Sequence, residues 1–161
     1  MILNNNIEQH EEFMRLAISE ALKASINGDV PIGAAIVNDG EVIAKGYNRV
    51  ELDKNSLRHA ELIAINQAIE VVGYKHLLES TMYVTLEPCP MCAGAIVMAR
   101  IPRLVYGTTD PKAGASHSLY SITSDDRLNH RCDVLSGVLE DKCSKLLSEF
   151  FKEIRKKKNA I

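Results

Sequence analysis

Apolar residues first fall into a helical rhythm between Ile7 and Ile26, where Phe13, Met14, Ala17, Ile18, Ala21 and Leu22 recur three and four positions apart. This spacing predicts an amphipathic helix. Asn27-Gly28 supplies the stop, because glycine accepts the left-handed conformation that ends helices. The rhythm then shortens. Pro31 to Val37 and Glu41 to Asn48 are β-rich runs around Asn38-Asp39-Gly40, which reads as a hairpin. The polar stretch Arg49 to Ser56 reads as a loop, and helical periodicity returns from His59 to Val71 through Leu62, Ile63, Ile65, Ala68 and Ile69. Thr81 to Leu86 reads as a compact strand. Pro88 is expected to open a helix from Cys89 to about Arg100, since the missing N–H of proline costs nothing at such an entry. Arg103 to Gly107 predicts another strand, Thr108 to Leu128 a turn-rich connection, Val134-Leu135 a short strand, and Glu140 to about Lys157 a long helix.

Strands alternating with helices predict an α/β fold, a three-layer α/β/α sandwich around a central mixed five-stranded sheet. The 161 residues fit one domain, 1–161, with one substantial core, and no repeat or linker divides it. A hydrophobic fraction of 46% with 25% charged residues excludes disorder as the general state. No apolar run approaches the roughly 20 residues that cross a bilayer. Met1-Ile2-Leu3-Asn4-Asn5-Asn6 offers neither a basic stretch nor the apolar core of a signal peptide, so the cytoplasm is the expected compartment. The formal charge of −2 gives no overall pull toward nucleic acid, but Lys152-Glu153-Ile154-Arg155-Lys156-Lys157-Lys158 is locally basic. Such a tail can neutralise phosphates, or it can be a solvated helix end whose cations suit the dipole.

Candidate chemistry lies in two short segments, each at the start of a predicted helix: His59-Ala60-Glu61 and Pro88-Cys89-Pro90-Met91-Cys92. Thiolate and imidazole are preferred zinc donors, and three protein ligands leave a fourth position for water. A helix N-terminus also stabilises negative sulfur through its dipole and free N–H groups. On a regular helix the side chains of His59 and Glu61 diverge by roughly 200°, so Glu61 is not expected to be a ligand with His59. A carboxylate beside the metal can instead move protons in both directions. The two segments in this order match H-x-E…P-C-x-x-C, the established signature of zinc nucleobase deaminases. A structural four-ligand zinc site would need Cys132, Cys143 or His76 to fold back. A Cys-Pro-Met-Cys redox pair would leave His59-Ala60-Glu61 unexplained. Cys132 and Cys143 read as buried small hydrophobes.

The chain closely resembles the bacterial tRNA-specific adenosine deaminases, within the cytidine deaminase-like superfamily. The resemblance runs in order through Val30-Pro31-Ile32-Gly33-Ala34, Gly46-Tyr47-Asn48-Arg49, His59-Ala60-Glu61 and Tyr83 to Ala95. It continues through Val105-Tyr106-Gly107, Asp110 to Ala115, Asn129-His130-Arg131 and Leu146 to Phe151. It implies one zinc ion per subunit on His59, Cys89 and Cys92, with Glu61 as the proton shuttle. It implies that Asn48 hydrogen-bonds the target purine, a contact that an amide can make two-pronged; a turn-forming asparagine is the alternative. Asp110 falls in the family's loop that approaches the RNA, or it caps the turn before Pro111. Phe150-Phe151 followed by Arg155 and its basic neighbours fits a helix that packs aromatic surface and offers charge to phosphate. The implied partner is the tRNA anticodon stem-loop, with adenosine converted to inosine at the wobble position (34), and the implied assembly is a homodimer. No membrane association is expected.

Two departures border the expected nucleic-acid surface: Arg58 where the family commonly has a small residue, and His117 where it has a flexible glycine. The metal motif alone does not exclude a deaminase of a free nucleobase or nucleoside, guanine deaminase above all, which shares Glu-Pro-Cys-Pro-Met-Cys. The later segments, Asp110 to Ala115, Asn129-His130-Arg131 and the basic tail, favour the tRNA reading. A non-catalytic RNA-binding subunit stabilised by zinc is the rival from a different class.

Overall fold

A computed structural model describes residues 6–160; the stretch Met1 to Asn5 read above lies outside them. The elements in chain order are α1 (Ile7–Ile26), β1 (Gly33–Asn38), β2 (Glu41–Tyr47), α2 (Ala60–Val72) and β3 (Ser80–Leu86). They continue with α3 (Pro90–Met98), β4 (Arg103–Thr108), a 3-10 turn at Ile122–Ser124, β5 (Asp133–Ser136) and α4 (Glu140–Asn159). The sheet order is β2-β1-β3-β4-β5. β1 pairs antiparallel with β2 and β3, whereas β3–β4 and β4–β5 are parallel. The expected three-layer sandwich with a mixed five-stranded sheet is therefore what forms.

Strand periodicity builds the layers. Successive side chains on a strand point to opposite faces. Ala34, Ile36, Met82, Val84, Leu104 and Tyr106 face one core with Ala60, Ala64 and Ala68 of α2 and Ile96 of α3. Val37, Tyr83 and Val105 face the other, with Phe13, Met14 and Ala17 of α1 and Cys143 of α4. The alanines four apart on α2 present one smooth face that lets the helix lie close to the sheet. Cys132 and Cys143 are buried, as expected for small hydrophobes.

Helix ends follow local chemistry. The Asn6 carboxamide accepts from Gln9 N at the start of α1, and Gly28, just beyond the cap Asn27, has φ +80°. Three helix boundaries near the site differ from the sequence expectation. The third helix begins at Pro90 and not around Pro88, with Cys89 as its N-cap; it ends at Met98, before Arg100, whose φ is +60°. The second begins at Ala60, with His59 outside it in an extended conformation as the cap. The 200° divergence expected on a regular helix therefore does not apply to His59 and Glu61.

Register decides where the loops gather. Gly33 pairs with Tyr47, Ala34 with Val84, and Leu86 with Thr108. The start of β1 and the ends of β2, β3 and β4 thus share one end of the sheet, where open α/β sheets place ligands. The loop after β2 turns back on itself through Arg49 N donating to Arg58 O at 3.0 Å, which returns His59 to that end.

Candidate functional site

His59, Cys89 and Cys92 converge there, their ligand atoms all within 4.8 Å of one another. His59 Nδ1 lies 3.6 Å from Cys89 Sγ and 3.5 Å from Cys92 Sγ. A tetrahedral ion with zinc-like bonds, about 2.3 Å to sulfur and about 2.0–2.1 Å to nitrogen, has a sulfur–nitrogen edge of about 3.6 Å. The trio therefore has the dimensions to hold a metal ion by three protein ligands. Among the described residues, none of Cys132, Cys143 and His76 joins the group.

The electrostatics of the pair point the same way. Cys92 donates toward Cys89 and holds the Cys89 thiol down at about 4, against the cost of burial and with help from His59. The Cys92 thiol is correspondingly pushed up, because a second negative sulfur beside the first is unfavourable in a buried place. One thiolate forms readily at the start of α3; a divalent cation would neutralise both.

Glu61 stands in the first turn of α2, 4% exposed, and its Oε2 has no hydrogen-bond partner. Burial raises its affinity for a proton, opposed by a backbone hydrogen bond and by the His59 charge. A buried carboxylate oxygen without a partner is costly unless something else uses it. Asn48 shows the same feature: its Nδ2 donates to Val30 O at 3.2 Å, while its buried Oδ1 is unpartnered. The amide is tied to the segment before β1 and does not form a local turn.

A cleft of about 840 Å3 opens beside the trio, walled by Asn48, His59, Asp110, Lys112, Phe150 and Ile154. The volume suits a small-molecule-sized group. Asp110 Oδ1 accepts from Lys112 N and Ala113 N at 3.0 and 3.3 Å, so it caps the turn while lining the cleft. Phe150 and Phe151 pack edge-to-face with centroids 5.4 Å apart. Arg155 is exposed further along α4 and is not part of the cleft wall.

A family model for MafB19-like deaminases matches residues 8–155. The tRNA-specific adenosine deaminase of Bacillus subtilis (strain 168) is 49% identical over 152 residues, 94% of this chain and 94% of that protein. The chain belongs to the tRNA-specific adenosine deaminase family. A solved structure from a study of A-to-I editing by tRNA:A34 deaminases at the wobble position matches this family member with TM-score 0.81 and 45% identity. It covers 84% of this chain and 99% of that one. A Bacillus subtilis guanine deaminase structure matches with TM-score 0.60 and 32% identity, over 68% of this chain and 81% of that one.

Three supporting carboxylates of this deaminase were not singled out by sequence reasoning. Asp29, 1% exposed, accepts from Glu51 N at 2.7 Å and Leu52 N at 3.1 Å, pinning the loop that carries His59. Asp53 bridges Arg49 and Arg58, which hold its carboxyl down at about 2. The departure at Arg58 is thus a brace within the loop. Glu87, 1% exposed, is ringed by donors from residues 110 to 118, including the N–H of the other departure, His117. The available signal was a charged residue inside a run otherwise expected to be buried, Leu86-Glu87-Pro88.

Proposed function

We propose that this protein is a zinc-dependent hydrolase that deaminates adenosine to inosine at the wobble position (34) of a tRNA anticodon loop. The observation that carries the proposal is the unpartnered Glu61 Oε2 beside a three-donor group with tetrahedral spacing. His59, Cys89 and Cys92 would hold one zinc per subunit, which when bound supplies the Lewis acidity that makes water nucleophilic near neutral pH. Adenosine and water become inosine and ammonia: a C6–O bond forms and the C6–N bond breaks. Glu61 takes one proton from the attacking water and passes it to the purine ring nitrogen; it then moves the second, from the new C6 hydroxyl, to the departing amine. Asn48 offers its free Oδ1 to the edge of the base.

An anticodon loop is single-stranded, so its base can enter the cleft without the cost of opening a duplex. Phe150 and Phe151 offer faces for stacking. Asp110 and Lys112 form the rim toward neighbouring nucleotides, and Arg155 with the basic residues after it reaches phosphate. We read the chain as one deaminase domain, 1–161, acting as a homodimer in the cytoplasm. Among the described residues, no helix is long and apolar enough to cross a membrane.

The test is to incubate purified protein with an adenosine-containing anticodon stem-loop, and separately with free guanine and cytidine, following products by mass spectrometry and metal content by elemental analysis. Inosine in the stem-loop with one zinc per chain is the expected result. Xanthine from guanine with an untouched stem-loop would establish the guanine deaminase reading instead. Binding of the stem-loop without turnover would establish the RNA-binding subunit.

A further inference from the structure

Three consecutive backbone N–H groups, those of Ser116, His117 and Ser118, converge on one oxygen, Glu87 Oε2, at 3.1, 3.0 and 2.9 Å. Successive N–H groups aimed at one point form a nest for an anion, and here a side chain of the protein fills it. The other oxygen, Oε1, accepts from Asp110 N at 3.2 Å and from the Ser118 hydroxyl. Five donors from a nine-residue loop therefore meet one buried carboxylate.

The loop is shaped around that carboxylate. A Cβ at Gly114 would collide with Glu87 Cδ and Oε2 and with Asp110 O. Gly114 N donates to Asp110 O, and Ala115 N donates to Pro88 O, both at 2.8 Å. Glu87 itself sits between the end of β3 and the Cys89 cap of α3. One residue thus ties the ligand-bearing segment to the loop whose Asp110 and Lys112 wall the cleft.

We propose that Glu87 is a positioning residue for the nucleic-acid substrate: it holds the Asp110–Ser118 loop in register with the thiolate pair and so fixes the rim that meets nucleotides beside the target base. This rests on the tRNA reading above. Glu87 touches no substrate; it acts through Asp110 and Lys112. A carboxylate suits the place because four of the five partners are N–H groups that only donate; the Ser118 hydroxyl alone can also accept. In Glu87→Gln one of the two oxygens becomes an NH2 group that cannot accept. The nest of three N–H groups keeps the remaining oxygen, and the NH2 faces Asp110 N–H, where two donors repel. The loop loses its anchor at Asp110 while the metal segment keeps its place.

The experiment compares wild type, Glu87→Gln and Ser118→Ala, all metal-loaded, on an anticodon stem-loop, with zinc content and amide hydrogen exchange measured on the same samples. For Glu87→Gln we expect KM to rise roughly tenfold, the size of one lost charge-assisted hydrogen bond, with kcat within about twofold and zinc fully retained. Exchange should accelerate at residues 110–118 and stay unchanged in α2 and α3. Ser118→Ala, which keeps the buried charge and all four N–H bonds, serves where Glu87→Gln does not fold, with a KM increase of roughly threefold expected. Zinc loss with a fall in kcat at unchanged KM, or wild-type kinetics in both variants, would overturn the proposal. A wild-type protein that leaves the stem-loop untouched overturns the tRNA reading instead, and the exchange data still report whether Glu87 holds the loop.

Discussion

His59 Nδ1 and Cys92 Sγ lie 3.5 Å apart although 33 positions separate them in the chain. That distance is set where two helices begin, since His59 caps α2 and Cys92 stands in the first turn of α3. Removing one donor leaves two, which is too few for tight binding of a catalytic ion. For His59→Ala and Cys92→Ser we expect zinc content below about a tenth of wild type and turnover reduced at least about a hundredfold. Elemental analysis and single-turnover assays check both; full zinc in either variant would remove that residue from the ligand set.

Glu61 carries a buried oxygen with no partner, so its carboxylate costs stability that its function must justify. Glu61→Gln should lower turnover by roughly 10²–10⁴-fold, the usual range for a lost acid–base group. Zinc content should be kept, and the melting temperature should hold or rise. Normal deamination by this variant would show that protons move by another route.

Asn48 offers one amide atom to Val30 and leaves the other, Oδ1, buried without a partner at the cleft wall. Asn48→Ala should reduce kcat/KM on the stem-loop about ten- to a hundredfold, matching about 1–3 kcal/mol for a base-edge contact. It should lower stability by about 1 kcal/mol through the lost bond to Val30 O. If catalysis is unaffected and only the melting temperature falls, Asn48 is a brace for the β1 entrance and no more.

The basic end of α4 is exposed and separate from the cleft wall. Phosphate contacts there would release counterions, so stem-loop affinity should weaken as salt rises. Deleting residues from 155 onward should flatten that dependence in a plot of log affinity against log salt. An unaltered slope would mean that the tail is only solvated charge.

Three buried acids predict alkaline weakness. Burial pushes Tyr83 from 10.0 to about 12, opposed slightly by Arg103, and pushes Cys132 and Cys143 from 9.0 to about 12. Each folded-state pKa lies above its unfolded value, so each contribution is complete below pH 9 to 10 and is lost as pH climbs toward 12. Melting temperature should fall steeply between pH 9 and 11, and less so in Tyr83→Phe, read by calorimetry. That variant also loses the 2.8 Å contact with His10, which lowers its melting temperature by an amount independent of alkaline pH.

Much of this was legible in the chain itself. Helical spacing from Ile7 to Ile26 and the Asn27-Gly28 stop located α1, because burial on one face of a helix imposes a repeat, and short β-rich runs between turn residues located the strands. His59, Glu61, Cys89 and Cys92 were legible because few roles need those residue types at that spacing. Other features needed the tertiary structure. Helix starts at Ala60 and Pro90 depend on caps that hold their extended shape through contacts with distant segments. Asp29 looks like any acidic residue in sequence, and Glu87 shows only as a charge set between residues expected to be buried. Their meaning comes from backbone N–H groups 22 to 31 positions away, brought close when β1, β3 and β4 align at one end of the sheet. Local pattern fixes which residues must be buried or bent; it carries no record of which remote donors a buried charge will meet, and that is decided only when the layers close.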